Sequence, residues 1–372
     1  MNGRGMTPPQ NPLLAHLLQR IAGEGPLPLE DYMAEVLGHP EHGYYMSGDP
    51  LGRTGDFVTA PEVSQMFGEL VGVWCASVWR MMGSPENVRL VELGPGRGTM
   101  MVDALRAANV MPGFRAAMVV HLVEVSPTLR QRQQETLQAL DVPVLWHESF
   151  DEVPDGPVIV LANEFFDALA VHQAVKQING WYERMVGIDH NGELAFTIAD
   201  EPIPLFEQLL PKQVRDTSLG SLFEWRPDNL AMEIGRRIVR GGGAALIVDY
   251  GHTESAQGET LQAVGKHGFT DPLGTPGEVD LTAHVDFQAL IMAAESMGVR
   301  THGPLDQAEF LRRMGIERRA ESLKASAPLE QATRIDVAVA RLTAEGRTGM
   351  GKLFKAVAFT DPKLDALPGF VR

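Results

Sequence analysis

The stretch Val88-Arg89-Leu90-Val91-Glu92-Leu93-Gly94-Pro95-Gly96-Arg97-Gly98-Thr99 decides the fold. A short apolar run ends in three glycines at alternate positions, and a helical pattern, Met100–Ala108, follows at once. A strand that turns sharply through glycines into a helix is the entry to a nucleotide-type α/β fold. Gly94 permits the sharp exit from the strand, Gly96 lets backbone approach a ligand, and Gly98 allows close helix–strand packing. The spacing is G-x-G-x-G rather than the G-x-G-x-x-G of dinucleotide enzymes, and Glu92 stands two positions ahead of the first glycine. A carboxylate there repels a pyrophosphate and attracts the cationic amino group and sulfonium of S-adenosylmethionine.

Working outward, strand and helix signals alternate. Ala117–Val125, Val142–Trp146, Val158–Ala162 and Ala244–Asp249 read as further apolar strands, and Pro127–Leu140 as a polar, Gln-rich helix. Strands this apolar, separated by helices, imply a parallel sheet covered on both faces. The interval 172–228 breaks the rhythm. Gln173–Ile178 and Trp181–Ile188 alternate in polarity and meet at Asn179-Gly180, and a second turn, His190-Asn191-Gly192, precedes another strand, so a β insertion is expected. Helix Asn229–Arg240 stops at three glycines, and beyond it come a helix near Phe287–Met297, a helical stretch Ala308–Glu345 and a strand Leu353–Phe359. Upstream, helical spacing from Leu13 to Leu37 breaks at Gly25-Pro26, and a glycine-dense loop follows. Thr59-Ala60-Pro61-Glu62 reads as a capping box opening a helix to about Met82, with Phe67, Leu70, Val71, Trp74, Val78 and Met81 on its apolar face. The expected division is a disordered tail (1–12), a helical N-terminal region with a loop covering the cofactor (13–85), the first part of the core (86–171), the β insertion (172–228), and the rest of the core with a helical insertion (229–372).

The 372 residues, 44% of them hydrophobic, are ample for a large core, and no apolar run is long enough to span a membrane. A net charge of −16 disfavours nucleic acid, whose phosphates need a basic surface, and favours a cationic partner. The single cysteine, Cys75, excludes an intrachain disulfide and fits a reducing compartment; its place in an apolar helical pattern reads as a core thiol. The start of the chain lacks the features of a signal peptide or presequence, so a cytoplasmic location is expected. No metal site is expected: His39 and His42 are separated by Pro40 and lack a neighbouring cluster.

Glu124, at the end of the second strand, can accept from both ribose hydroxyls of an adenosyl ligand. Ser149 and Phe150 follow the third strand, where an adenine would lie; Phe150 either stacks on that ring or belongs to the core. After the fourth strand comes Asn163-Glu164-Phe165-Phe166-Asp167. Carboxylates at a strand end are costly to bury unless something cationic pairs with them, and a guanidinium fits a carboxylate as a bidentate fork. Asp167 as the cap of a following helix is the alternative. Asp56, in the loop Gly55-Asp56-Phe57, is placed to close over the cofactor.

Taken together, the chain resembles the MidA family of S-adenosylmethionine-dependent methyltransferases. The resemblance is carried by Gly43-Tyr44-Tyr45, by Gly55-Asp56-Phe57-Val58-Thr59-Ala60-Pro61-Glu62, by the glycine turn, by His121-Leu122-Val123-Glu124-Val125-Ser126, by Asn163-Glu164-Phe165-Phe166-Asp167, and by Asp249-Tyr250-Gly251-His252. It continues through Asp280-Leu281-Thr282-Ala283 and Met314-Gly315-Ile316. It implies a class I, Rossmann-like seven-stranded sheet with a helical N-terminal region. It also implies methylation of a protein arginine on a subunit of respiratory complex I, with S-adenosyl-L-methionine as cofactor; whether the β insertion makes a homodimer stays open. By that carry-over Gly94, Gly96, Gly98 and Glu124 hold the cofactor and Glu164 and Asp167 grip the acceptor; the residues themselves add Glu92, Ser149, Phe150 and Asn163 as cofactor candidates and Asp56 as a candidate for the transfer. The family signature can carry His where Asn163 stands, which leaves the role of Asn163 open. Other readings are a small-molecule methyltransferase of the same fold, a non-catalytic assembly factor that keeps the cofactor, and a nicotinamide dehydrogenase.

Overall fold

The computed structural model describes residues 11–46, 59–265, 268–346 and 349–371, which form two compact units. Asp56 and residues 1–10 of the expected tail lie outside the described residues; Asn11 and Pro12, assigned to that tail, begin a helix, with the Asn11 side chain accepting from the Leu14 N–H.

The larger unit (59–167, 228–253 and 285–371) is built on a sheet whose strands we label β1 (Val88–Leu93), β2 (Met118–Val123), β3 (Val144–His147), β4 (Val158–Asn163), β5 (Gly243–His252), β6 (Arg300–Asp306) and β7 (Phe354–Thr360). Their order across the sheet is β6-β7-β5-β4-β1-β2-β3. Neighbours run parallel except at β7, which is antiparallel to both β5 and β6. From β1 the chain steps outward to β2 and β3, then returns to place β4 on the other side of β1. That reversal opens a crevice at the carboxyl ends of β1 and β4, where open α/β sheets take their ligands. β6 escaped the sequence reading because Gly303-Pro304 sits inside it; on an edge strand a missing N–H costs nothing.

One face of the sheet carries the main core. Helices Gln65–Met81 and Thr99–Ala108 cross it so closely that a Cβ on Gly68 would fall 2.7 Å from the Cβ of Asp103, and one on Gly72 2.3 Å from the Ala104 carbonyl oxygen. These two glycines set the distance of the helix that starts at the glycine turn. Cys75 is buried on Gln65–Met81, and burial pushes its thiol up, which disfavours the reactive thiolate. The other face is covered by helices Asn229–Gly241 and Phe287–Ser296 over β4, β5 and β7. The connection between β3 and β4 holds only a single 3-10 turn, Phe150–Glu152, too short for a covering helix. The expectation of two covered faces therefore fails there, and a hollow of about 630 Å³ opens beside Arg89, Val119, His121 and Leu145.

Two helix boundaries need correction. The capping box does not form: Thr59 makes no side-chain cap bond, and Glu62 instead accepts from the Thr99 hydroxyl at 2.5 Å. The chain extends at Ser64 (φ −162°), which splits the segment into Ala60–Val63 and Gln65–Met81, and Ser64 Oγ caps the longer helix by accepting from Met66. The single stretch expected over 308–345 is three helices, Gln307–Met314, Ile316–Lys324 and Leu329–Thr343, broken at left-handed Gly315 and before Leu329 by Pro328.

The smaller unit (11–46, Ala168–Pro227 and Glu254–His284) contains the β insertion. Strands His172–Gln177 and Gly180–Ile188 form the expected hairpin, but its loop is Ile178-Asn179, one residue earlier than read, and Gly180 opens the returning strand. Leu27–Pro28 adds a strand to this sheet, so the first two helices, Pro12–Glu24 and Leu29–Gly38, group with the insertion rather than with Gln65–Met81. His172 lies between Glu30 and Glu183, at 2.7 Å and 2.6 Å, with its ring stacked on Trp225. His39 meets His16 and Glu35 rather than forming a pair with His42 alone. The expectation that His39 lacks a neighbouring cluster therefore fails, although Glu35 Oε1 is ion-paired to Arg20 at 3.1 Å and His39 Nδ1 accepts from the Glu41 and His42 amides.

Candidate active site at the strand ends

Gly94, Gly96 and Gly98 all hold positive φ (60°, 54° and 80°), the left-handed region that only glycine enters without strain. A Cβ on Gly94 would lie 2.6 Å from the ring of Phe165 in the loop after β4, so the β1 turn and the β4 loop touch there. Gly98 departs from the packing role expected of it. A Cβ there would find Gln133 no closer than 3.6 Å, so its requirement is conformational.

Glu92 is enclosed directly ahead of the turn, and its Oε2 has no hydrogen-bond partner among the described residues. Burial pushes its pKa up to about 8. An enclosed carboxyl with one oxygen unpaired among the described residues, at the head of a glycine cradle, fits a ligand that brings a cation, which a pyrophosphate does not. Glu124, also buried, spends part of its capacity on the protein: Oε1 accepts from the Ser126 amide at 2.8 Å and Oε2 from Gln133 at 3.1 Å. Each oxygen keeps a second lone pair for a ribose hydroxyl.

Gln133 was missed by the sequence reading. It is fully buried; Nε2 donates to the Gly96 carbonyl (2.7 Å) and to Glu124, and Oε1 accepts from Trp146 Nε1 at 2.9 Å. One side chain thus ties the β1 turn, the end of β2 and strand β3. The Gln-rich pattern of helix Pro127–Leu137 hid it, since a polar helix reads as solvated. The adenine side is less favourable to expectation. Ser149 is exposed, and Phe150 is 4% exposed with the Arg237 guanidinium 4.5 Å from its ring centre. Phe150 is a core wedge, because Arg237 is fixed over it by the carbonyls of Asp151 and Val153 and by Glu233.

At the end of β4, Asn163 Nδ2 donates to Glu164 Oε1 (3.2 Å), and its Oδ1 is buried without a partner among the described residues. Glu164 sits at φ +50°, a conformation rare outside glycine, and its Oε1 also accepts from the Ala60 amide at 2.8 Å. Both bonds fall on Oε1, which leaves Oε2 for a ligand. Burial first, then the nearby charge of Asp167, push its pKa up to about 8 against those two bonds. No helix follows Asp167; a turn leads to the strand at His172, so the capping alternative is excluded. Asp249, on β5, accepts from the amides of Phe165, Phe166 and Asp167, a role the sequence did not show. The short helix Ala60–Val63 joins both halves: its first amide binds Glu164, and Glu62 binds Thr99 at the start of the helix leaving the glycine turn.

Comparison with known proteins agrees with this geometry. Residues 70–305 match the profile of a family of S-adenosyl-L-methionine-dependent methyltransferases. Among curated proteins, the mitochondrial protein arginine methyltransferase NDUFAF7 of Danio rerio is 40% identical over 84% of this chain and 79% of its own length. Its homologue in Drosophila melanogaster is 40% identical over 93% of this chain and 84% of its own. A Burkholderia thailandensis structure with S-adenosyl-homocysteine bound superposes with a TM-score of 0.84 at 31% identity, covering 97% of this chain and 94% of that one. With a glycine cradle and an enclosed carboxyl that suit this cofactor, the chain belongs to the family of S-adenosyl-L-methionine-dependent methyltransferases.

Proposed function

We propose that the acceptor is an arginine side chain of a protein, a subunit of respiratory complex I (NADH:quinone oxidoreductase) undergoing assembly, and that the reaction takes place in the cytoplasm. The observation that carries this reading is the acidic strand end. Glu164, Asp167 and Asn163 stand together after β4, across the topological switch from the cofactor turn. The relatives named as protein arginine methyltransferases support the acceptor class, and a lone buried cysteine supports a reducing compartment.

The cofactor supplies an electrophilic methyl group on a sulfonium. The chain supplies alignment and charge. Glu164 Oε2 and the Asp167 carboxylate hold the guanidinium in a fixed plane, which turns a bimolecular encounter into an oriented in-line displacement. The nitrogen that gains the methyl must shed one proton. Burial pushes the Glu164 pKa up to about 8, so the arriving guanidinium must ionise it by pairing, and the carboxylate so formed is placed to receive that proton. The buried Asn163 Oδ1 adds one more acceptor for an N–H.

The test is mass spectrometry of complex I subunits from cells with and without the protein, and from cells carrying Glu164→Gln. A methylated arginine that disappears in both the deletion and the Gln strain is expected. A subunit set whose arginine methylation is the same in all three strains overturns the proposal.

A further inference from the structure

We propose that Asp249 is a positioning residue that dedicates the acceptor side of the crevice to cations, by filling an anion-binding loop with the protein's own carboxylate. The inference rests on the reading of that crevice as the site of a cationic acceptor.

The geometry is a closed set of bonds. Asn163 is the last residue of β4 paired to β5, and the Glu164 amide still donates to the Val248 carbonyl at 2.9 Å. Glu164 then turns left-handed, and the next three amides, of Phe165, Phe166 and Asp167, all donate to Asp249 Oδ2 at 3.1, 2.9 and 3.2 Å. Oδ1 accepts from the Tyr250 amide at 2.9 Å. Both oxygens accept, so the carboxyl satisfies four backbone amides at once.

Successive amides aimed at one point form a concavity that binds phosphate or carboxylate. Left open, this loop would draw an anionic group into the crevice. Asp249, fully buried, satisfies it from within. The arrangement carries a cost: burial first, then the nearby charges of Asp167 and Glu164, push this carboxyl well above the usual carboxylate range against its amide bonds. An apolar residue would avoid that cost and leave three amides free. The carboxyl therefore does two things: it locks the loop that carries Glu164 and Asp167, and it occupies the amide cluster that would otherwise recruit an anion. Asp249 reaches the acceptor through the loop and is not a catalytic residue.

The full-length protein is compared with Asp249→Ala and Asp249→Asn by hydrogen exchange, by calorimetry with S-adenosyl-homocysteine, and by thermal melting with inorganic phosphate as the probe. In Asp249→Ala the amides of 165–167 should exchange on the order of 100-fold faster, and in Asp249→Asn, which keeps a neutral acceptor, about tenfold faster. Cofactor-product affinity should fall far less than the exchange rises, by no more than about fivefold, since the loop meets the glycine turn only through the Phe165 ring and the turn keeps its own bonds to Gln133. Phosphate should raise the melting point of Asp249→Ala and leave the parent unmoved. Unchanged exchange at 165–167 in a folded variant overturns the inference, as does phosphate acting equally on parent and Ala variant, or a loss of cofactor affinity that matches the exchange effect. Should the Ala variant fail to fold, the exchange and calorimetry of Asp249→Asn decide. With the methylated protein in hand, Asp249→Asn should raise KM for that protein and leave KM for the cofactor alone. If the parent methylates no arginine, the proposed function fails, and the exchange and phosphate results still judge Asp249.

Discussion

Replacing Gln133 by leucine tests whether the cofactor cradle is held from behind. Leucine matches glutamine in length closely enough to fill the site, so the change removes polarity more than volume. Three bonds are lost: two donated by Nε2, to the Gly96 carbonyl and Glu124 Oε2, and one accepted by Oε1 from Trp146. A buried hydrogen bond contributes about 0.5–1.5 kcal/mol net, and more when one partner is charged, as at Glu124. Leucine returns part of this by placing apolar surface in a fully buried position, and water in the crevice can reach Gly96 and Glu124. The expected net loss is about 2–4 kcal/mol in urea unfolding. The cofactor should feel the same change, because Gly96 and Glu124 lose their shared tether. A fall in S-adenosyl-homocysteine affinity of about 10- to 50-fold, or about 1.4–2.3 kcal/mol, is expected by calorimetry. Trp146→Phe removes only the third bond and should cost stability with little effect on affinity. If Gln133→Leu binds the product as tightly as the parent, the tether has no role in the cradle and the reasoning fails.

Gly94→Ala places a Cβ 2.6 Å from the Phe165 ring at φ +60°, so product affinity should drop by more than about tenfold in the same calorimetric assay. Glu92→Gln should separate stability from function. A carboxyl whose folded pKa rises to about 8 from 4.5 loses stability as pH climbs between those values, so the Gln variant should be more stable than the parent at pH 8, by more than about 1 kcal/mol, and little different at pH 4.5. The same variant should bind the cofactor more weakly. His172 gives the same pH slope from a favourable interaction: burial lowers its pKa, but the bond to Glu183 and the charge of Glu30 outweigh that and raise it overall. The raised imidazolium stabilises the smaller unit below its unfolded pKa of about 6.5, and the contribution fades as pH rises through the folded value. The urea midpoint of the parent should therefore fall toward that of His172→Gln as pH increases; parallel pH profiles for the two would contradict it.

Local chemistry was legible in the sequence wherever neighbouring residues set the conformation. Strand β1 lies where its apolar run ends, and Gly94 and Gly96 have the dihedral freedom the turn needs, because backbone sterics act within one or two residues. Glu92, Glu124 and Glu164 stand out for a related reason: acidic groups at the ends of apolar strands are costly to bury, and burial raises the pKa of all three. Bonds between distant segments were not legible. Nothing near Gln133 in sequence announces Gly96 or Trp146, and nothing near Asp249 announces the amides of 165–167, which lie more than eighty positions away. Glu62 was assigned to a local capping box that Thr99 took from it, since a partner 37 residues off had the better geometry. Phe150 was undecided until Arg237 was seen above it. The sequence by itself determined the strand–turn–helix entry, the cofactor class and the acidic strand end, all products of short-range sterics and of the cost of burying charge. Only the tertiary structure decided which side chains hold that site in shape, because hydrogen-bond partners are chosen by proximity in space, and the sheet order β4-β1-β2 is what brings them together.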